Sequence, residues 1–100
     1  MYRIKQRSYR IAEQIGVRIR ASKKKGKKID VIINERGRVR IISIGQIGYY
    51  DYPTYLELEQ VGKIEKGTAL ARKRAYEKRP KNDLKFKGTA GNYAYLLLWT

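Results

Sequence analysis

Two runs of cations carry most of the chemistry this sequence can do. One is Lys23-Lys24-Lys25-Gly26-Lys27-Lys28, and the other is Arg72-Lys73-Arg74 followed by Lys78-Arg79. Ammonium and guanidinium groups at such spacing bind phosphate or carboxylate oxygens, lysine as a point charge and arginine as a bidentate fork. A lone lysine run is usually a solvated loop. Here it belongs to a chain with 24 Lys/Arg, nine Asp/Glu and a formal charge of +15. Such an excess repels itself in a compact free chain and suits a polyanion: DNA, RNA or the acidic surface of an assembly. Phosphate contact by Lys23, Lys24, Lys25, Lys27 and Lys28, and by Arg72, Lys73, Arg74, Lys78 and Arg79, is the expectation.

Other chemistry has little to work with. The chain has no histidine and no cysteine. That removes most nucleophile–base pairs, thiol chemistry, a disulfide framework and structural zinc. Asp51, Glu57 and Glu59 could hold Mg²⁺ in a nuclease-like site, but their spacing matches no metal motif. Glu57 reads better as a helix cap and Glu59 as a solvated helix residue. Gly45 and Gly48 stand three apart, which fits neither a P-loop nor a dinucleotide fingerprint. No enzymatic activity, cofactor or metal is expected. The tyrosines around Tyr49-Tyr50-Asp51-Tyr52 could stack on bases. The plainer reading packs Tyr49, Tyr52 and Tyr55 over a sheet edge, and it is favoured.

The second cation run sits on an expected helix over 68–79, with Thr68 as N-cap and Pro80 as its stop. Ala69, Ala71, Ala75 and Tyr76 are expected on one face, with Lys73, Arg74 and Lys78 on the other. Residues 88–100 carry no charged side chain and end Leu96-Leu97-Leu98-Trp99-Thr100. They read as a last helix over 90–99, capped by Thr89, that serves as the hydrophobic partner of the basic one. Thr54-Tyr55-Leu56-Glu57 matches a capping box and opens a helix over 55–61 that Gly62 ends. Lys81 to Lys87 then form a basic loop.

The first half alternates. A short helix from Ser8, its N-cap, to Ile15 and a terminating Gly16 leads into a strand at Val17-Arg18-Ile19-Arg20. Ile29 to Ile33 and Arg38 to Ile44 flank Asn34-Glu35-Arg36-Gly37, a hairpin with Gly37 at positive φ. Ile29, Val31, Ile33, Val39 and Ile41 are assigned to its core face; Arg36, Arg38 and Arg40 are assigned to the other. The fold class is therefore α+β, a small domain with an antiparallel hairpin or sheet over about 29–47 and short helices around it.

Charge is unevenly spread. Residues 1–28 hold eleven Lys/Arg against Glu13, for +10; residues 29–62 hold three against five acids, for −2; residues 63–87 hold ten against three, for +7. This suggests a basic segment over 1–28 and a compact α+β domain over 29–100, within one domain overall. No stretch is long and apolar enough to span a membrane, and the start does not lead into a signal-peptide core. A virion or host-cell interior is the expected location, with no membrane partner.

From Gly45 onward the order of short motifs resembles a family. The motifs are Gly45-x-x-Gly48-Tyr49-x-Asp51-Tyr52, then Arg74-x-Tyr76-x-x-Arg79, Thr89-Ala90-Gly91 and Leu97-Leu98-Trp99. They are similar to an uncharacterised family of small basic proteins encoded by large DNA viruses and some phages. The likeness covers about the second half of the chain and leaves residues 1–28 aside. That family carries a histidine after the last arginine of the basic helix, where this chain has Pro80, so no role carries over there. The resemblance implies a viral or virion-associated setting and no mechanism. Together these readings favour a nucleic-acid-binding protein acting through phosphate contacts with little sequence specificity. The alternative is a minor capsid, cement-like or ribosome-like assembly component, whose basic surface meets acidic protein or RNA.

Overall fold

A computed structural model describes residues 2–79 and 84–100; Pro80 and the first part of the expected 81–87 loop lie outside them. The class is α+β. In chain order the elements are α1 (Gln6–Ile15), β1 (Arg18–Ala21), β2 (Lys27–Glu35), β3 (Arg38–Gln46), α2 (Tyr52–Gln60), α3 (Thr68–Glu77) and α4 (Ala90–Leu98). They fall into two compact units, Met1–Gly48 and Tyr49–Thr100. The boundary expected at 28/29 lies inside β2 instead. Pairing of β1 with β2 ties the basic N-terminal segment into the sheet.

In the first unit the strands form an antiparallel sheet in the order β1-β2-β3. Helix α1 packs on β1 and ends at Gly16, whose φ of 78° is the left-handed cap that glycine reaches at least cost. Its N-cap is Lys5, without a side-chain bond, and Ser8 is fully buried inside the first turn. Ser8 is therefore not the cap.

The hairpin turn holds two residues, Arg36 at φ 51° and Gly37 at φ 81°, with Glu35 opposite Arg38. Both central residues take positive φ, the geometry whose twist suits tight hairpins. This turn sets the register and reverses the faces expected for β3, so that Val39 and Ile41 leave the core row and Arg38 and Arg40 share its side of the sheet. Ile29 faces Ile44, Val31 faces Ile42 and Ile33 faces Arg40. Directly opposed residues share a face, so the core row continues through Ile42 and Ile44. Ile29, Val31, Ile33 and Ile44 are buried, while Val39 and Ile41 are 63% and 48% exposed on the other face.

In the second unit, α2 starts three residues earlier than a Thr54 cap would place it. Asp51 is the N-cap; its Oδ1 accepts from the Thr54 N–H at 3.0 Å and the Thr54 hydroxyl at 2.7 Å. Thr54 is thus a donor within the first turn, and Pro53 sits where its missing N–H costs nothing. Asp51 is almost fully buried. Asp51→Ala is expected to lower stability by about 1–2 kcal/mol, the range for a lost N-cap. Chemical melts followed by far-UV circular dichroism would check it, and an unchanged midpoint would remove the cap from the account.

Helix α3 has Gly67 as N-cap, at φ 96°. The Gly67 N–H donates to Glu59 Oε1, so Glu59 is a structural acceptor rather than a solvated bystander. The Thr68 hydroxyl donates back to the Glu65 carbonyl and caps nothing. Helix α4 follows the expectation: the Thr89 hydroxyl accepts from the Asn92 N–H at 3.1 Å. The buried Asn92 side chain donates to the Leu84 carbonyl at 2.7 Å. Ala69, Tyr76, Leu84, Leu97 and Leu98 are the buried apolar residues here.

Candidate nucleic-acid interface

The five candidate cations of the second unit do not form one strip. At about 100° per residue, Ala69, Lys73 and Tyr76 share a face, and that face is the covered one. Ala69 and Tyr76 are buried and Lys73 is half-buried, while Ala71 and Ala75 are exposed. The expected apolar face is corrected accordingly. Round the exposed arc of α3 come Arg74, then Ala71 and Ala75, then Arg72; the helix ends at Glu77 rather than at 79, so Lys78, its C-cap, and Arg79 follow it. All six are exposed. Arg74 and Arg72 therefore flank a strip of methyl groups, with Lys78 and Arg79 exposed beyond its end, and a chain of phosphates can approach the helix closely there.

Aromatic rings hold three of the cations. Lys73 Nζ lies 5.3 Å from the Tyr52 ring centre, Arg72 Cζ 5.9 Å from that of Tyr55 and Arg79 Cζ 5.5 Å from that of Tyr76. A ring face attracts a cation and restrains it without neutralising it. Tyr76 in turn stacks on Trp99 at 4.5 Å and 8°, and lies parallel to Tyr95 at 6.4 Å. Tyr55 touches Trp99 at 6.4 Å. Tyr95 and Trp99 of the uncharged C-terminal segment thus pack on Tyr76 of the basic helix, whose neighbouring helix is α2. The Tyr95 hydroxyl donates to Glu77 Oε2 at 2.6 Å. The hydrogen bond to that carboxylate, then burial and its negative charge, push the Tyr95 phenol up to about 12.

In the first unit the lysine run splits. Lys23, Lys24 and Lys25 are exposed in the β1–β2 loop, while Lys27 and Lys28 belong to β2. Successive strand residues point to opposite faces. Lys27 is half-buried, and Lys28 is 4% exposed with Nζ 5.2 Å from the Tyr2 ring centre. Lys28 is therefore a packed side chain and leaves the expected clamp.

What orders the lysine loop is Asp30, a residue that composition does not single out. Arg20, Asp30 and Ser43 form one cross-strand row. The Asp30 carboxylate accepts from the Ser22 hydroxyl at 2.6 Å, the Ser43 hydroxyl at 2.7 Å, Arg20 Nε at 3.3 Å and the Lys23 N–H at 3.4 Å. The Lys24 N–H then donates to the Ser22 hydroxyl oxygen at 3.1 Å. Burial works to raise the Asp30 pKa. The bonds from Ser22, Ser43, the Lys23 amide and Arg20 outweigh it and bring the carboxyl down to about 2. A buried anion thus fixes the base of an exposed triad of cations.

The first unit is also the more charged, with fourteen Lys/Arg against three acids, +11, leaving ten against six, +4, in the second. Part of that charge stands on α1, where Arg7 and Arg10 are exposed three residues apart on one side. Their spacing in a helix is the signal that could have added them to the candidate residues. Among the described residues no three carboxylates come together as a metal site. No helix among them is long and apolar enough to cross a membrane. Comparison with family models, curated proteins and solved structures finds no match to this chain.

Proposed function

We propose that this chain is a non-enzymatic nucleic-acid-binding protein that grips the phosphate backbone with little sequence specificity, in a viral or virion-associated setting. The observation that carries the reading is the exposed arc of α3, where Arg74 and Arg72 flank Ala71 and Ala75 and the exposed Lys78 and Arg79 follow directly. The ordered triad Lys23, Lys24 and Lys25 supplies a second set of phosphate donors, with Arg7 and Arg10 of α1 in the same unit. Cations of this kind position a protein on nucleic acid without reading bases. The setting rests on the motif order between Gly45 and Trp99.

Fluorescence-anisotropy titrations of DNA and RNA oligomers at several salt concentrations test it. If about six phosphates are neutralised, log K should fall with log[salt] at a slope near −5. Binding that is absent or insensitive to salt would overturn the proposal.

The exposed Val39 and Ile41 favour a second reading. They form an apolar pair on β3, an outer strand of the sheet. In that reading the protein is an assembly component meeting an acidic protein surface. It requires a partner whose binding Val39→Ser with Ile41→Ser abolishes while nucleic-acid affinity stays unchanged.

A further inference from the structure

We infer that the second unit takes single-stranded nucleic acid in preference to duplex, with Tyr50 stacking on a base beside the phosphate held by Arg72. This rests on the phosphate-binding reading above and names the strand state that reading leaves open.

The four tyrosines from Tyr49 to Tyr55 divide into an exposed pair, Tyr49 and Tyr50, and a half-buried pair, Tyr52 and Tyr55. Tyr52 and Tyr55 are half-buried and each receives a cation of α3, so they are committed to packing. Tyr50 is 57% exposed. Its ring meets that of Tyr55 edge to face, with centroids 5.5 Å apart and planes at 88°. A perpendicular contact covers at most one face of Tyr50, and more than half of the residue stays exposed. Tyr55 is also the ring on which Arg72 rests, at 5.9 Å. An exposed aromatic residue and an exposed guanidinium therefore adjoin the same ring. Arg79, just past the end of α3, rests on the Tyr76 ring at 5.5 Å.

The substrate class follows from this pairing. A duplex presents phosphates but keeps its base faces stacked inside. A single strand offers both at once, and alternation of cation and aromatic platform is how proteins hold it without sequence readout. The motif residues Tyr49 and Asp51 flank Tyr50. Asp51 anchors the start of α2 from a buried position. Tyr50 thus projects from a fixed point in the backbone.

The test compares fluorescein-labelled oligo(dT), oligo(U) and duplex DNA of equal length, titrated at several salt concentrations with wild-type protein, Tyr50→Ala and Tyr50→Phe. The wild type should bind the single strands more tightly than the duplex. Tyr50→Ala should weaken single-strand binding about tenfold, leave duplex binding unchanged and keep the salt slope. Tyr50→Phe should behave as wild type, since the face is retained. Photocrosslinking of a 5-bromouracil oligomer to Tyr50, mapped by mass spectrometry, gives a readout independent of affinity. Equal affinity for strand and duplex, or an unaffected Tyr50→Ala protein that still binds in a salt-dependent way, would overturn this inference and leave the phosphate-binding proposal standing. Absence of salt-dependent binding to any oligomer would overturn both this inference and the phosphate-binding proposal.

Discussion

Replacing Asp30 by alanine is expected to cost the protein about 3 kcal/mol of stability, the scale of breaking a buried charge pair while its partners remain. The carboxylate is 3% exposed and gathers two hydroxyls, one backbone amide and one guanidinium. Alanine leaves the Ser22 and Ser43 hydroxyls and the Lys23 amide to find water where little is admitted. Asp30→Asn keeps the shape and loses the charge, so it isolates the electrostatic part. The folded pKa is lowered from 3.8 to about 2. A depressed carboxyl contributes stability above its unfolded pKa and loses it as pH falls through the folded one. The contribution is therefore complete above about pH 5 and vanishes between about pH 4 and 2, with a size of about 2 kcal/mol. Urea melts of wild type and Asp30→Asn should differ by about that much at pH 7 and converge towards pH 2. Other carboxylates titrate in both proteins and cancel in the comparison. A difference that stays constant across this range would show that Asp30 is not the titrating staple.

Asp30 also shows where reading a sequence stops. Alternation in Ile29-Asp30-Val31 places Asp30 on the face opposite the core, and that placement is right. The same alternation suggests exposure, which is wrong, because Arg20 and Ser43 stand beside it in the row. Those partners lie ten and thirteen residues away, and only the strand register brings them together. Register likewise decided Val39 and Ile41. The alternating pattern of β3 was legible, but its phase against β2 depended on a two-residue turn with positive φ at Arg36 as well as Gly37.

Local signals fared better where one residue type has one physical use. Gly16 ends α1, and Thr89 caps α4. The choice between Asp51 and Thr54 as cap was closer, since both side chains can accept. Asp51 wins because its carboxylate takes two donors from Thr54, whereas a Thr54 hydroxyl would take one. In the candidate site, residue types were readable and sidedness was not. Lys73 and Lys28 look like surface cations by composition, yet Tyr52 and Tyr2 cover them. Long lysine stems pack readily against rings while keeping the ammonium satisfied.

Sidedness also determines which variant tests the helix. Removing Lys73 would disturb its packing on Tyr52, so it is left in place. The informative protein is Arg72→Ala, Arg74→Ala, Lys78→Ala and Arg79→Ala combined. It empties both flanks of the Ala71/Ala75 strip while keeping good helix formers throughout. If each cation neutralises one phosphate, the salt slope should become shallower by about 3–4. Extrapolated from a 1 M reference, that corresponds to affinity falling roughly a hundred- to thousandfold near 0.15 M salt. Loss of the Arg72 and Arg79 ring contacts costs about 0.5–1 kcal/mol each at exposed positions. Relief of charge repulsion offsets part of that, so the fold should survive. Arg72→Lys with Arg79→Lys keeps the charge and should keep the slope. Arg74→Ala with Lys78→Ala touches no ring and should remove about half of the effect. A slope unchanged in the fourfold variant, with loss instead in Lys23→Ala/Lys24→Ala/Lys25→Ala, would move the phosphate-binding surface from α3 to the loop that Asp30 holds.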